Sequence, residues 1–260
     1  MIESNFHAAI LIPTYNEALT IAELLESIKE FRGANPNFEV VVIDDNSPDN
    51  TATIVANLAL PWVSILTRPE KAGLGAAYRA GFAKVLASPK YSHVITMDAD
   101  GSHRVADLAK IFTAIDINWR SDRDAKLIIL GTRWIPGGAV VNWPLHRQLL
   151  SRAGTQYAKL ALRIPLSDLT GGFRVYSVSL LHALKLDQMK ATGYCYQIEM
   201  ALASHLAGAR EVEVPITFIE RINGVSKMSR AIVIEALLQT TRWGLSRTFR
   251  PNADKLHYVK

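Results

Sequence analysis

The sequence predicts an α/β fold: a single domain with a largely parallel central sheet and helices on both faces. Three observations lead there. Short apolar runs alternate with amphipathic stretches through the first 130 or so residues, the pattern of successive β-α-β units. Runs such as "VVVI" (40–43) are apolar throughout, as strands covered on both faces are. Polar and Gly-rich segments gather where those runs end, the edge at which open α/β sheets bind ligands.

In chain order, apolar runs place strands over Ala8–Pro13, Glu39–Ile43, Val63–Thr67, His93–Met97 and Leu127–Thr132. The amphipathic stretches between them place helices over Ala18–Phe31, Thr51–Leu60, Gly75–Ala87 and Val105–Ile117. The strand ends read "PTYNE" (13–17), "DDNSPDN" (44–50), "RPEKAGLG" (68–75), "DADGSH" (98–103) and "GTRWIPGG" (131–138). The second half is less regular. It reads as a helix over Leu145–Leu162, a two-glycine loop running into a short strand within 167–177, and a helix over Cys195–Ala207. A strand over Val212–Ile219, a polar loop "ERINGVSKMS" (220–229), a helix over Ala231–Leu245 and a polar tail complete it. No repeat, linker or low-complexity stretch interrupts the chain. The expected division is a body over residues 1–230 and a C-terminal interfacial helix with its tail over 231–260.

The 260 residues are 49% hydrophobic and 20% charged, enough to bury a sizeable core. The lone cysteine, Cys195, excludes an internal disulfide framework and fits a reducing compartment. The first residues lack the cationic and apolar segments of a signal peptide, and no apolar run approaches the ~18 residues that span a bilayer. The net charge of +5 is unevenly placed. Residues 133–167 hold five Lys/Arg and no acid, and residues 221–260 hold eight against two acids. A cationic surface facing an anionic partner is one reading; a solvated basic face is the other.

The Asp98-Ala99-Asp100 segment ends its strand with two carboxylates one residue apart. Two close buried carboxylates oppose each other's ionisation unless a cation intervenes, and hard oxygen ligands favour Mg²⁺ or Mn²⁺ shared with a substrate phosphate. Alone, a D-x-D is short and common, and Ser102 or Asp100 could instead cap a helix starting near Arg104. Asp44 and Asp45 end a second strand, and Tyr15, Asn16 and Glu17 follow the Pro13 turn of a first. Three polar strand ends in that order, D-x-D last, form a specific constellation.

These segments resemble glycosyltransferase family 2, with its GT-A nucleotide-sugar-binding fold. "GLGAAYRAGF" (73–82), "MDADGSH" (97–103), "GTRWIPGGAVVNWPLHRQLLSRAGTQYAK" (131–159), "SDLTGGFRVY" (167–176) and "GYCYQIEM" (193–200) narrow the likeness to the dolichol- or polyprenol-phosphate mannosyltransferases, over roughly residues 8–230. The resemblance implies a donor site for GDP-mannose at Pro13, Tyr15, Glu17, Ile43, Asp45, Asp98, Ala99, Asp100, Arg133 and Arg221. It implies a Mg²⁺ or Mn²⁺ site at Asp98, Asp100 and Ser102, where relatives often carry Gln in place of Ser102. It also implies an acceptor-phosphate site at Arg133, Arg147, Ser151 and Lys227, with Asp100, Arg133, Arg221 and Lys227 carrying catalysis. Arg147 and Ser151 are four apart and share a helix face. Arg221 and Lys227 match a loop that closes over the donor; an exposed basic loop is the alternative. Asp168 is expected to brace a basic side chain. Glu199 is expected to brace one or to approach the sugar, and His103 to be structural.

The implied reaction moves mannose to the phosphate of a polyprenyl lipid with inversion. The chain is then expected to sit peripherally on the cytoplasmic face of a membrane and to have no nucleic-acid partner. The helix "RAIVIEALLQTTRWGLSRTF" (230–249) reads equally as interfacial or as core-packing. Many relatives carry C-terminal spanning helices with no counterpart here, which leaves room for a separate integral membrane protein. The rival readings are a family 2 transferase with UDP-glucose or another donor and acceptor, a non-catalytic phospholipid- or nucleic-acid-binding module, and a nucleotidyltransferase. The last lacks its signature Gly-rich loop and Lys near the N-terminus.

Overall fold

The computed structural model describes residues 6–220 and 230–260. Strands β1 (Ala8–Thr14), β2 (Phe38–Asp44), β3 (Val63–Thr67), β4 (His93–Thr96) and β5 (Leu127–Thr132) follow the expected apolar runs. Four short strands follow: β6 (Ala139–Val141), which the sequence did not predict, β7 (Arg174–Ser177), the expected short strand, and the two halves of the run expected at 212–219, β8 (Arg210–Pro215) and β9 (Thr217–Ile219). Among the described residues a seven-stranded sheet runs β3-β2-β1-β4-β7-β5-β8, with β6 and β9 paired separately. All neighbours are parallel except β7, which is antiparallel to β4 and β5.

The break between β8 and β9 has a local cause. Pro215 carries no N–H, so the ladder with β5 ends there at the Thr132–Pro215 register. Ile216 then donates to Thr132 and accepts from Ala139, which hands the chain to β6.

The helices are α1 (Ile21–Ala34), α2 (Thr51–Asn57), α3 (Leu74–Leu86), α4 (Leu108–Ser121), α5 (Leu145–Leu162), α6 (Val178–Ala183), α7 (Gly193–Leu206), α8 (Arg230–Phe249) and α9 (Pro251–Tyr258). Alternate residues of β1 feed two cores. Ala8, Ile10 and Ile12 join α1 and α4 in a layer holding Phe38 and Phe112, and Ala9 and Leu11 join α3, α6 and α7 in a layer holding Tyr78, Phe82 and Tyr196. Each such buried side chain stabilises by about 1.5–3 kcal/mol.

The C-terminus departs from expectation. The helix expected over 231–245 runs four residues further, and the expected polar tail is a helix, opened by Pro251 at its first position. Its end is docked: Lys185 donates to Tyr258 O and Lys260 to Ala183 O, and the Tyr258 ring is buried. For α8 the core-packing reading holds on one face. Thr240 and Trp243 are buried, and at Gly244 an added Cβ would lie 2.8 Å from Ala161 O, so the α5 and α8 backbones touch. The opposite face presents Ile234, Leu238, Leu245 and Phe249 to solvent, at helical spacings of four, seven and four. Among the described residues no helix is long and apolar enough to cross a membrane.

Candidate active site

The topological switch lies at β1, where β2 departs to one side and β4 to the other, and the cavity opens at the carboxyl ends of β1 and β4. It has a volume of about 520 Å³. Pro13, Glu17, Asp98, Ala99, Asp100, Ser102, Arg133, Arg147 and Ser151 all line it. Tyr15, Ile43 and Asp45 do not; they sit beside it at the ends of β1 and β2.

The paired aspartates owe their position to what surrounds them. Met97 donates to Leu11 O, after which the chain leaves the sheet. The Asp98 amide donates to His103 Nδ1 at 3.1 Å, so the ring proton belongs on Nε2, which lies 3.8 Å from Asp98 Oδ2. The imidazole is held by Phe173, stacked at 5.1 Å, and Phe218, edge-on at 5.5 Å. His103 is therefore structural, as expected, and clamps the turn. Asp100 Oδ1 accepts from the Ser102 amide at 3.1 Å, closing the turn at Gly101, whose φ is +74°. Neither Asp100 nor Ser102 caps the next helix, which begins at a 3-10 turn from Val105 with no side-chain cap. Beneath Asp98 lies Gly172, where an added Cβ would come within 3.2 Å of the carboxylate. The second glycine of the T-G-G segment thus leaves room for an oxygen ligand.

Among the described residues no group of three or more His, Cys, Asp or Glu could hold a metal alone. Two carboxylates and a hydroxyl facing a cavity suit a hard divalent cation that completes its shell from water and a substrate's phosphate. The residues fit Mg²⁺ or Mn²⁺.

At the neighbouring strand ends, Asp44 turns inward to Thr14 Oγ1 (2.9 Å) and Ser47 Oγ (2.6 Å) and serves the turn. Asp45 points to Arg68 at 2.6 Å; burial lifts its carboxyl above the ordinary range, with Arg68 pulling the other way. Lys71 Nζ lies 4.0 Å over the Tyr15 ring.

The two arginines differ sharply. Arg133 is fixed by Asp168, with Nε to Oδ2 at 2.7 Å and Nη2 to Oδ1 at 2.8 Å, and Nη2 also reaches Thr170 Oγ1. Trp134, Trp143 and Phe218 enclose its guanidinium at 5.1–5.3 Å. Burial alone would raise the Asp168 carboxyl, but the Arg133 charge and the amides of Arg133 and Thr170 hold it below the usual carboxylate range. Asp168 therefore braces a basic side chain as expected. Arg147 instead meets Glu220, and its guanidinium lies 4.9 Å from the Trp143 ring centroid. Ser151 follows one turn along α5, its hydroxyl buried without a hydrogen-bond partner among the described residues.

Glu199 corrects its expectation. Among the described residues it forms no ion pair, and it does not line this cavity; it accepts from the Ala191 amide and the Tyr258 hydroxyl, both at 3.0 Å, beside a second cavity. Arg221 and Lys227 lie outside the described residues. Sequence reasoning missed Arg68, Lys71, Thr170, Trp143, Phe218 and Glu220. All but Phe218 lay within segments singled out in the sequence: Trp143 in "NWP", Thr170 in "SDLTGGFRVY", Arg68 and Lys71 in "RPEKAGLG" and Glu220 at the head of "ERINGVSKMS".

Away from the aspartates the cavity turns apolar. Leu150, Ala153, Gly154, Tyr157, Ile198, Ala236 and Leu237 line its far part between α5, α7 and α8. Leu150, Tyr157 and Leu237 there reach solvent.

Comparisons with known proteins agree with this architecture. The family model described as "Glycosyl transferase family 2" matches residues 9–185. An undecaprenyl-phosphate mannosyltransferase of Micrococcus luteus is 43% identical over 238 residues, 91% of this chain and 93% of the relative. A polyprenol monophosphomannose synthase of Mycolicibacterium smegmatis is 39% identical over 239 residues, 91% and 86%. Among solved structures, glucosyl-3-phosphoglycerate synthase of Mycobacterium tuberculosis, in complex with Mn²⁺, UDP-glucose and phosphoglyceric acid, superposes with a TM-score of 0.64 at 17% identity, over 92% of this chain and 80% of that one. Mannosyl-3-phosphoglycerate synthase of Rubrobacter xylanophilus does so with a TM-score of 0.62 at 15% identity, over 95% and 75%. At such identities the structures speak for the GT-A fold alone.

Proposed function

The chain belongs to glycosyl transferase family 2 and is a glycosyltransferase, and from that premise we propose that it transfers mannose from GDP-mannose to the phosphate of a membrane polyprenyl monophosphate, inverting the anomeric carbon. The observation that carries the reading is the two-sided cavity. One end offers carboxylates for a metal–diphosphate and the Arg147–Ser151 face for an anion; the other is an apolar passage opening between α5 and α8. A substrate with an anionic head and a long hydrocarbon tail fits both at once. The names of the two close relatives support the acceptor class.

A phosphomonoester's second pKa is about 6, so the acceptor oxygen is already anionic near neutral pH and needs no general base. It attacks the anomeric carbon as the bond to the diphosphate oxygen breaks, and GDP leaves with the electron pair, giving a β-linked mannosyl phosphate. A divalent cation at Asp98, Asp100 and Ser102 would neutralise charge on the departing diphosphate. The chain's own contribution is orientation and charge neutralisation. Arg133, held rigid by Asp168, puts positive charge beside the aspartates. Arg147 and Ser151 fix the nucleophile across from them.

The exposed stripe of α8 and Leu145, Leu149 and Leu160 of α5 support peripheral attachment to the lipid surface. Arg152, Arg163, Arg242 and Arg250 lie exposed on or beside the same helices, and each basic residue near anionic lipid contributes about 1 kcal/mol.

The test is incubation of the purified chain with radiolabelled GDP-mannose, Mg²⁺ or Mn²⁺, and a polyprenyl monophosphate. A mild-acid-labile lipid product is expected. Turnover with UDP-glucose alone, or transfer without any lipid phosphate, would overturn the reading.

A further inference from the structure

Arg147 Nη1 donates to both carboxylate oxygens of Glu220, at 2.5 and 2.6 Å. The pair is open to exchange: the two side chains are 16% and 21% exposed, and both line the cavity. The Asp168–Arg133 pair nearby is 0% and 5% exposed and is fixed from several sides. Donor capacity around Arg147 exceeds what Glu220 uses. Arg147 Nε and Ser151 Oγ are buried with no hydrogen-bond partner among the described residues, and Ser151 as a whole is 9% exposed. Buried donors left unmet are costly, so these two call for an acceptor that Glu220 does not supply.

We propose that Glu220 is an internal competitor for this anion seat, and that it makes the seat selective for a terminal phosphate. A carboxylate presents two oxygens and one negative charge. A phosphodiester presents no more: two free oxygens, one charge. It gains little by displacing Glu220. A phosphomonoester near neutral pH brings three free oxygens and a charge of about −1.5 to −2, enough to take Nη1 from Glu220 and also meet the Ser151 hydroxyl. Bulk phospholipids, whose phosphates are diesters, are thereby refused, while a terminal phosphate is admitted. The inference rests on the proposed function for the lipid acceptor, but the seat itself rests on the geometry. It also bears on release: transfer of a sugar turns the acceptor monoester into a diester, and Glu220 can then reclaim Arg147.

The experiment is calorimetric titration of the full chain with inorganic phosphate and with dimethyl phosphate, for the natural sequence, Glu220→Gln and Glu220→Ala. The natural chain should bind phosphate and not dimethyl phosphate. Both variants should bind phosphate with a Kd about tenfold lower and acquire measurable binding of dimethyl phosphate. With farnesyl phosphate as acceptor, KM should fall and kcat should fall with it, as release slows. If both folded variants bind phosphate no better, or worse, Glu220 only orients Arg147 and the inference fails. If the phosphate affinities shift as stated but no chain glycosylates farnesyl phosphate, the role of Glu220 stands and the acceptor reading is what fails.

Discussion

The two walls of the cavity are held by different means. The sheet wall is satisfied from within. Asp168 receives Arg133 twice through the side chain and accepts from the amides of Arg133, Thr170 and Gly171, while aromatic rings close over the guanidinium. The helical wall of α5, α7 and α8 keeps spare donors at Arg147, Ser151 and Thr155, and α5 and α8 expose apolar side chains, among them Leu149 and Leu238. Each wall has a buried carboxylate behind it, and they titrate in opposite senses. Burial would raise Asp168, but Arg133 holds it low; burial does raise Glu199, which meets an amide and a hydroxyl and has only the weaker pull of His257 against it. A wall whose polar groups satisfy one another keeps its shape. One with spare donors and an exposed apolar side is suited to receive a ligand.

The largest effect should come from breaking the sealed pair. Asp168→Asn leaves Arg133 buried without its counter-charge, and unfolding by denaturant at pH 7 should show a loss of about 3–5 kcal/mol. The pH dependence has a definite sign. With its carboxyl held below the unfolded value of ~3.9, Asp168 contributes stability that is present above that pH and disappears as pH falls through the lowered pKa. A loss of less than about 1 kcal/mol would mean the sheet wall is not locked as described.

Next is Asp100→Asn, at the edge of the same wall. Turnover should fall by about 10²–10³-fold, and titration with Mg²⁺ or Mn²⁺ should no longer restore it. Asp100 lies in a turn over the cavity and not in the core, so the melting temperature should barely move. A variant with full activity would remove the aspartate pair from the chemistry.

The helical wall responds differently. Leu238, 67% exposed on α8, can be made Leu238→Asp with unfolding changed by under about 0.5 kcal/mol. Partition to anionic vesicles, by sedimentation, should fall about tenfold, in line with ~1.5 kcal/mol of lost side-chain burial. Unchanged partition would relieve α8 of any part in lipid attachment.

This contrast also marks how far the sequence could be read. Strands 63–67 and 127–132 and the helix 145–162 appear with the bounds their periodicity predicts, because local pattern and burial agree there. Asp98, Asp100, Arg133, Arg147 and Ser151 converge on one cavity, since strand ends and an i, i+4 pair are local facts. Glu220 was hidden as the first residue of a polar loop; only the fold shows that 73 residues of separation close onto Arg147. The aromatic enclosure of Arg133 joins positions 134, 143 and 218, which no periodicity links. The last helix was unreadable for a related reason. "PNADKLHY" is polar, and its order comes from Tyr258 entering the core beneath α7.

That same contact gives the smallest expected effect and the closest test of the contrast between the walls. The Glu199 carboxyl lies above its ordinary range, chiefly through burial, so the folded state favours its neutral form. Whatever stability it contributes is fully present below the unfolded pKa of ~4.3 and is lost as pH rises through the folded value. Glu199→Gln cannot ionise, yet keeps a carbonyl to accept from Ala191 or Tyr258. At pH 4 the variant should be equal to or slightly less stable than the natural chain, by under about 1 kcal/mol. As pH climbs towards 8 the difference should move steadily in the variant's favour. For Asp168→Asn the deficit should instead widen from acid to neutral pH, because the natural carboxylate gains its full value only once ionised. Melting curves of both variants and the natural chain between pH 3 and 8 would read the two slopes side by side. Slopes of the same sign would mean that the charge on His257 outweighs burial at Glu199, and that the two walls do not differ in how their buried acids are held.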